Sequence, residues 1–330
     1  MEISQSPKDR NQKLKTAVIG VGSLGQHHAR NYAELSREGL GKFVGVCDIS
    51  EENARSVAEK NGCKFYTDWR EIASEVDAVS IVTPTETHCE VACALLEKGV
   101  NVLVEKPIAR TLEEADLMIE AAEKSGAKLM VGHLERFNPA MVALRPHITN
   151  PLYFEIHRVS PFPNRSLDVD VVLDVMIHDL DAVQWLVNAE VAEIHAVGIP
   201  VISDKIDAAN ARIEFENGAV ANITASRIGT EKIRKTRFYQ TNSYVVLDYA
   251  TKFASLTSLA PGAAHPLLGI SVNRLKIEDI EPLRAEISAF LNCIIEDKTP
   301  PITAEDGRRA LALALGVLEK IETHRNRLNV

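Results

Sequence analysis

Between Lys15 and Gly132 the chain alternates two hydrophobic patterns. The runs TAVIG, KFVGVCD, AVSIVT, NVLVEK and KLMVG are short, nearly continuous in apolar character and rich in β-branched residues, as strands covered on both faces should be. Amphipathic stretches lie between them. Ser50 opens SEENARSVAEKNG and Gly62 closes it; Thr111 opens TLEEADLMIEAAEKSG, with Glu114 in the capping-box position and Gly126 at the stop. This strand–helix–strand rhythm predicts an α/β fold built on a doubly wound parallel sheet.

After Pro151 the rhythm changes. One helical segment over 169–188 is followed by ISDKIDAANARIEFENGAVANITASRI, in which Asn217-Gly218 stands between two alternating runs and predicts a tight hairpin. RKTRFYQ, SYVVLDY and ISVNRLKI add further strand patterns, and two helices close the chain, one over 282–297 and one from Thr303 to about Arg325. A second domain centred on an antiparallel sheet follows. The expected division is a polar arm over 1–13, a first domain over 14–150 and a second over 151–330. Helices covering one face of that sheet would leave the other open. An apolar open face would make the chain a homodimer or homotetramer through the sheet.

Composition narrows the function classes. A length of 330 residues suits two domains, and 45% hydrophobic with 25% charged residues excludes a disordered or collagenous chain. The net charge of −9 gives no electrostatic reason for a nucleic acid or an anionic membrane as partner, so any phosphate must be held locally. The five cysteines form no CxxC pair and match no histidine spacing for zinc, which argues against a disulfide framework and against a metal site. Apolar stretches such as 310–318 are far shorter than the roughly 20 residues that span a bilayer, and the polar start lacks a secretory core. The expectation is a soluble, cytoplasmic protein.

Gly20-Val21-Gly22-Ser23-Leu24-Gly25 has GxGxxG spacing, directly after TAVI and before QHHARNYAEL. Glycines there allow a tight turn, close approach of the backbone to a pyrophosphate, and packing of a helix whose free N–H groups face the phosphates. Asp48 ends the next strand, 23 residues beyond Gly25, at the offset of a carboxylate that binds ribose hydroxyls; its other reading is a turn or helix-cap residue. A 2′-phosphate about 4 Å away would be repelled by 1–4 kcal/mol per unit charge. Ile49 and Ser50 bring no arginine. NAD is therefore expected over NADP.

Two further groups carry candidate chemistry. Lys106, in Glu105-Lys106-Pro107, follows a strand and so stands at the carboxyl edge of the parallel sheet, where it either stabilises a developing alkoxide or is a solvated lysine. Asp174, His178 and Asp181 are spaced i, i+4, i+7 in a helical pattern and share one face. Asp174 could orient His178 toward a substrate hydroxyl; the alternative is a core histidine satisfied by a neighbouring carboxylate. Arg158 and Arg165, just upstream, read as ligands for a diphosphate or as solvated surface arginines.

Taken together, GVGSLG, Asp48, the strand-end TPTETH (Thr83 to His88), EKP and the Asp-to-His step of four resemble the Gfo/Idh/MocA oxidoreductase family over nearly the whole chain. The resemblance implies a Rossmann domain, a second α/β domain with a large open, mostly antiparallel sheet, and NAD(P)-dependent oxidation of a sugar or cyclitol hydroxyl. By position it makes Lys106 the catalytic lysine, Asp174 and His178 the substrate-domain pair, and Thr83, Thr85 and His88 a loop beside the nicotinamide, with Gly20, Gly22, Ser23, Leu24, Gly25, Asp48, Glu105 and Lys106 on the cofactor. Many inositol-oxidising members have glycine midway between the Asp and the His, after a Gly-Gly pair; here Met176 fills that place and VDVV precedes. The stretch SPFPNRSLDVDVVLDVMIHDLD is similar to the branch whose members oxidise the 3-hydroxyl of UDP-N-acetylglucosamine in lipid A precursor synthesis. The resulting expectation is that the Lys106 ammonium and the His178 imidazole serve one carbinol. Rival readings are a dehydrogenase of inositol, a free sugar or UDP-N-acetylglucosaminuronate, a non-catalytic NAD-binding regulator, and a binding protein with a degenerate pocket.

Overall fold

The computed structural model describes residues 13–162, 169–259 and 269–328, and the chain divides into two compact units. The first runs to Gly132 and takes back Leu283–Ala304. Its strands β1 (Lys15–Ile19), β2 (Lys42–Cys47), β3 (Lys64–Tyr66), β4 (Ala78–Ile81), β5 (Asn101–Glu105) and β6 (Leu129–Gly132) form one parallel sheet in the order β3-β2-β1-β4-β5-β6. The order reverses between β1 and β4, and open sheets of this kind bind ligands at the carboxyl ends beside such a reversal. Connecting helices are α1 (Gly25–Arg37), α2 (Glu51–Asn61), α3 (Trp69–Ile72), α4 (His88–Leu96) and α5 (Leu112–Ser125). Ser50 caps α2 by accepting the Asn53 N–H, and Thr111 caps α5 by accepting that of Glu114. Gly62 and Gly126 end these helices in the left-handed conformation, as their spacing predicts.

Two features of this unit depart from the sequence reading. The three-residue edge strand β3 is too short to carry a period. The boundary lies at Gly132, not at 150, and the helix Pro282–Ile295 (α8) belongs to the first unit. Its Leu283, Ile287, Phe290 and Leu291 are buried, and Arg284 pairs with Glu34 and Glu38 of α1. Just beyond it, Thr303 bridges to Met130 of the edge strand β6. Long-range pairing of this sort leaves no mark on local periodicity.

In the second unit β7 (Pro151–Val159), β8 (Val191–Ile199), β9 (Ala208–Phe215), β10 (Val220–Ser226), β11 (Ile233–Gln240), β12 (Ser243–Asp248), β13 (Phe253–Leu259) and β14 (Ile270–Arg274) form a sheet in the order β14-β13-β12-β11-β7-β10-β9-β8. Only β7 and β10 run parallel. The Asn217-Gly218 turn joins β9 to β10 as predicted, with Gly218 at φ +84°. Phe154, Ile156, Ala211, Ile213, Ala221, Ile223, Phe238, Val245 and Leu247 share one core with α6 (Pro139–Leu144), a π-helical turn (Val172–Met176), α7 (Ile177–Val187) and α9 (Ala304–Leu328). The alternate positions form the other face of the sheet. They carry Glu155, His157, Asn210, Arg212, Asn222, Thr224 and Arg237 beside Tyr153, Tyr239 and Tyr244, whose rings lie against one another, and also Val197, Ile199, Val246 and Val272, a face of mixed polar and apolar character. No helix among the described residues is long and apolar enough to cross a membrane.

A buried pair locks the entry to this core. Arg227 donates to Asp207, to the Val169 carbonyl and to Ser203. Asp207 also accepts the N–H groups of Val201, Ile202 and Ser203. Burial pushes the Asp207 carboxyl up, but these donors outweigh it and hold the carboxyl below the usual range. Its stabilising contribution is therefore complete above about pH 4 and is lost as pH falls below that. Asp207→Ala, which strands the Arg227 guanidinium, should lower the unfolding free energy by about 3–5 kcal/mol and remove that acid dependence, as urea melts between pH 3 and 7 would read.

Candidate active site

In the first unit the glycine loop leaves β1 under tight constraint. Gly20 has φ +84°, and a Cβ there would lie 2.6 Å from the Val82 carbonyl oxygen. A Cβ on Gly25 would lie 1.9 Å from the Gly20 carbonyl oxygen, so α1 could not begin where it does. Gly22, by contrast, has nothing within 4 Å of its missing Cβ, which leaves that side of the loop open. Leu24, the cap of α1, offers no side-chain acceptor, so the positive end of the helix dipole at the glycine loop is not offset by a capping side chain, although the Gln26 and His27 N–H groups already donate to the Gly22 and Leu24 carbonyls.

Asp48 ties this loop to the end of β2. One carboxylate oxygen accepts the Val21 N–H at 2.8 Å and the other the Ser50 N–H at 2.9 Å. Because Ser50 caps α2, the helix-cap reading of Asp48 falls away. Each oxygen keeps a lone pair for a ribose hydroxyl. Ile49 is 97% exposed, so an apolar side chain stands where a 2′-phosphate would need a cation. Arg55 of α2 is engaged by Glu51 and lies over the Phe65 ring. The loop, the uncapped helix and the carboxylate fit NAD.

At the ends of β4 and β5 the predicted residues separate into two kinds. Thr83 accepts from the Thr87 hydroxyl, and Thr85 opens a 3-10 turn ahead of α4. His88 is buried, and its ring nitrogens lie 3.0 Å from the carbonyl oxygens of Pro107 and Thr83. It braces the two loops against each other. Burial pulls its pKa below the ordinary imidazole value, against the opposing pull of the two carbonyls. The Lys106-Pro107 bond that it supports is cis.

Glu105 is likewise internal. Its carboxylate meets His28 Nε2 at 3.0 Å and accepts the Lys106 N–H at 3.3 Å. Burial pushes its pKa up, but His28 and Lys106 outweigh this and hold it below the carboxylate range. Gly132 gives it room, since a Cβ there would stand 3.1 Å from the carboxylate. Glu105 thus holds the backbone of Lys106. Sequence reasoning missed His28, although a histidine three residues past the last glycine was a usable signal. It also missed Glu286 of α8, which is fully buried; burial and the Glu105 charge raise its pKa well above the usual range.

The second unit places Asp174 inside the π-helical turn and His178 at the start of α7, both half-buried. π-helical turns inside helices mark functional sites unusually often. Asp181 does not join them: its carboxylate receives Arg136 at 2.6 and 2.9 Å. Arg158 is buried and donates to Asp179 at 2.7 and 2.8 Å and to Glu135 at 2.7 Å. A guanidinium spent on two carboxylates is not a diphosphate ligand, so that reading of Arg158 is corrected. Arg165 lies outside the described residues.

Comparison with known proteins agrees with this geometry. Residues 14–133 match the model of an oxidoreductase family with an NAD-binding Rossmann fold, and residues 147–245 that of a GFO/IDH/MocA C-terminal domain. The UDP-N-acetylglucosamine 3-dehydrogenase of Acidithiobacillus ferrooxidans is 38% identical over 94% of this chain and 97% of its own. Its crystal structure superposes with a TM-score of 0.87, covering 94% and 98% of the two chains. The scyllo-inositol 2-dehydrogenase (NAD(+)) of Bacillus subtilis is 29% identical over 89% and 90%.

Two measurements test these assignments. Asp48→Ala should weaken NADH binding about 10- to 100-fold, for loss of one charged hydrogen bond, while improving NADPH binding; fluorescence titration of both cofactors reads the change. His88 has a folded-state pKa below its unfolded value, so its stabilisation is complete above about pH 6.5 and is lost as pH falls through the folded value. His88→Gln should flatten that segment of the stability profile in urea melts at pH 5–7.5.

Proposed function

Because this chain belongs to the Gfo/Idh/MocA oxidoreductase family, we propose that it oxidises the 3-hydroxyl of UDP-N-acetylglucosamine to a ketone with NAD, the step that precedes amination in lipid A precursor synthesis. The observation that carries the substrate is the full-length similarity to a UDP-N-acetylglucosamine 3-dehydrogenase. Inositol dehydrogenases are more distant, at 29% identity and below over comparable lengths. Met176 stands where many of them have glycine.

NAD, held by the glycine loop and Asp48, supplies the hydride acceptor. The protein's own residues then manage the hydroxyl proton. A sugar hydroxyl is a far weaker acid than imidazolium, so its proton leaves only as the oxygen's developing charge is stabilised. In this reading the Lys106 ammonium donates to that oxygen, and His178 takes the proton, as an imidazole can near neutral pH. Asp174 orients His178 and favours its cationic form after the step. With Arg158 committed to Asp179 and Glu135, Arg165 is the remaining candidate for the diphosphate.

Incubation with UDP-N-acetylglucosamine and NAD, with an aminotransferase and glutamate to trap the ketone, should give a 3-amino nucleotide sugar by mass spectrometry. Turnover of inositol or a free sugar in its place would overturn the substrate. Lys106→Ala and His178→Asn should each lower kcat about 10²- to 10⁴-fold; unchanged turnover in either removes that residue from the mechanism.

A further inference from the structure

Two arginines bracket the helix that carries His178. Arg158, on β7, holds Asp179 through two parallel hydrogen bonds and Glu135 through a third. Arg136 holds Asp181 through two and Asp306 through a third. Glu135 and Arg136 are neighbours in the 3-10 turn Leu134–Phe137. All of these side chains are nearly inaccessible, and the arginines also lie over the rings of Tyr249 and Trp185. His133 stands 3.9 Å from Asp181, and Arg309 completes the outer edge at Asp306.

The placement on α7 is specific. At 100° per residue, Asp179 lies about 100° to one side of His178 and Asp181 about 60° to the other. A rotation of the helix in either direction therefore pulls a carboxylate away from its arginine. The turn just before His178 is π-helical, and such a turn holds one residue more than an α-turn. Its relaxation to α-geometry would carry the following residues round by about one position, near 100°. A single backbone hydrogen bond opposes that slip only weakly. Two buried charged pairs oppose it strongly, since opening either strands charge in the interior.

We propose that Arg136 and Arg158 are positioning residues for His178, which fix the rotation of α7 from its buried side and so set where the imidazole points. This rests on the assignment of His178 to proton transfer, but the orientation of its ring can be read without turnover. Buried ion pairs exchanged whole for uncharged side chains of similar volume often leave stability unchanged. The test variants are therefore Glu135→Gln/Arg158→Met/Asp179→Asn and Arg136→Met/Asp181→Asn/Asp306→Asn. Each should melt cooperatively and bind NADH within about 3-fold of wild type, because the cofactor residues lie in the other unit. In each, kcat should fall about 10- to 100-fold with the sugar KM within about 3-fold, and the ¹⁵N-imidazole spectrum should show His178 in a second ring environment with a displaced titration. Should either fail to fold, Arg136→Lys and Arg158→Lys keep the charge without the two-pronged grip and should give the same changes more weakly. Folded variants with wild-type kcat and an unmoved His178 resonance would overturn the proposal. A wild type that turns over no sugar, with a His178 resonance that still moves in the variants, would instead fault the assigned activity and leave the positioning intact.

Discussion

A charge taken out of water must meet its opposite, and in this chain that requirement decides which polar residues are free to do chemistry. Removing one partner of a buried pair costs about 3–5 kcal/mol, comparable with the net stability of many domains. Most acidic and basic residues inside both units are arranged accordingly, whereas the buried Glu286 carboxyl meets the requirement through a raised pKa. Glu105 meets His28, Asp179 and Glu135 meet Arg158, Asp181 and Asp306 meet Arg136, and Asp207 meets Arg227. The groups proposed to act on ligands are less buried and stand at element ends: the glycine loop and, beside it, Asp48, then Lys106, Asp174 and His178.

Several residues that a motif reading assigns to ligands turn out to hold other residues in place. His88 does this for the loops after β4 and β5, and Glu105 does it for Lys106. The distinction matters for chemistry because a side chain acts on a bound molecule only as accurately as its backbone is held. The lysine follows a carboxylate that is itself fixed on three sides, by His28, by its neighbour's amide and by the close backbone of Gly132. Aim at the carboxyl edge of the sheet is thus set by groups that are themselves largely buried.

The first unit was largely legible because its signals are local. Continuous apolar runs, the GxGxxG turn, the caps Ser50, Thr111, Gly62 and Gly126, and Asp48 after β2 each state their role within a few residues. The strand β3 escaped because three residues carry no period, and α8 escaped as a member of this unit because its partners Glu34 and Glu38 lie some 250 positions earlier. In the second unit the hairpin at Asn217-Gly218 was legible, whereas β7, β8 and β13 went unrecognised. The fate of Arg158 was invisible for the same reason as that of α8: a basic residue in an alternating strand looks the same whether it faces solvent or a carboxylate 21 residues away.

The spacing argument around His178 shows where pattern and structure part. An i, i+4, i+7 set places Asp174, His178 and Asp181 on one face only if every turn is α-helical. The π-helical turn at Val172–Met176 breaks that premise. Asp174 then belongs to a wider turn than His178, and Asp181 is drawn to Arg136. Met176, fully buried in that turn, supplies packing where a glycine would supply none. An apolar anchor there and charged pairs farther along flank the irregular stretch on both sides, so the pattern of spacings alone does not state which of its residues share a face.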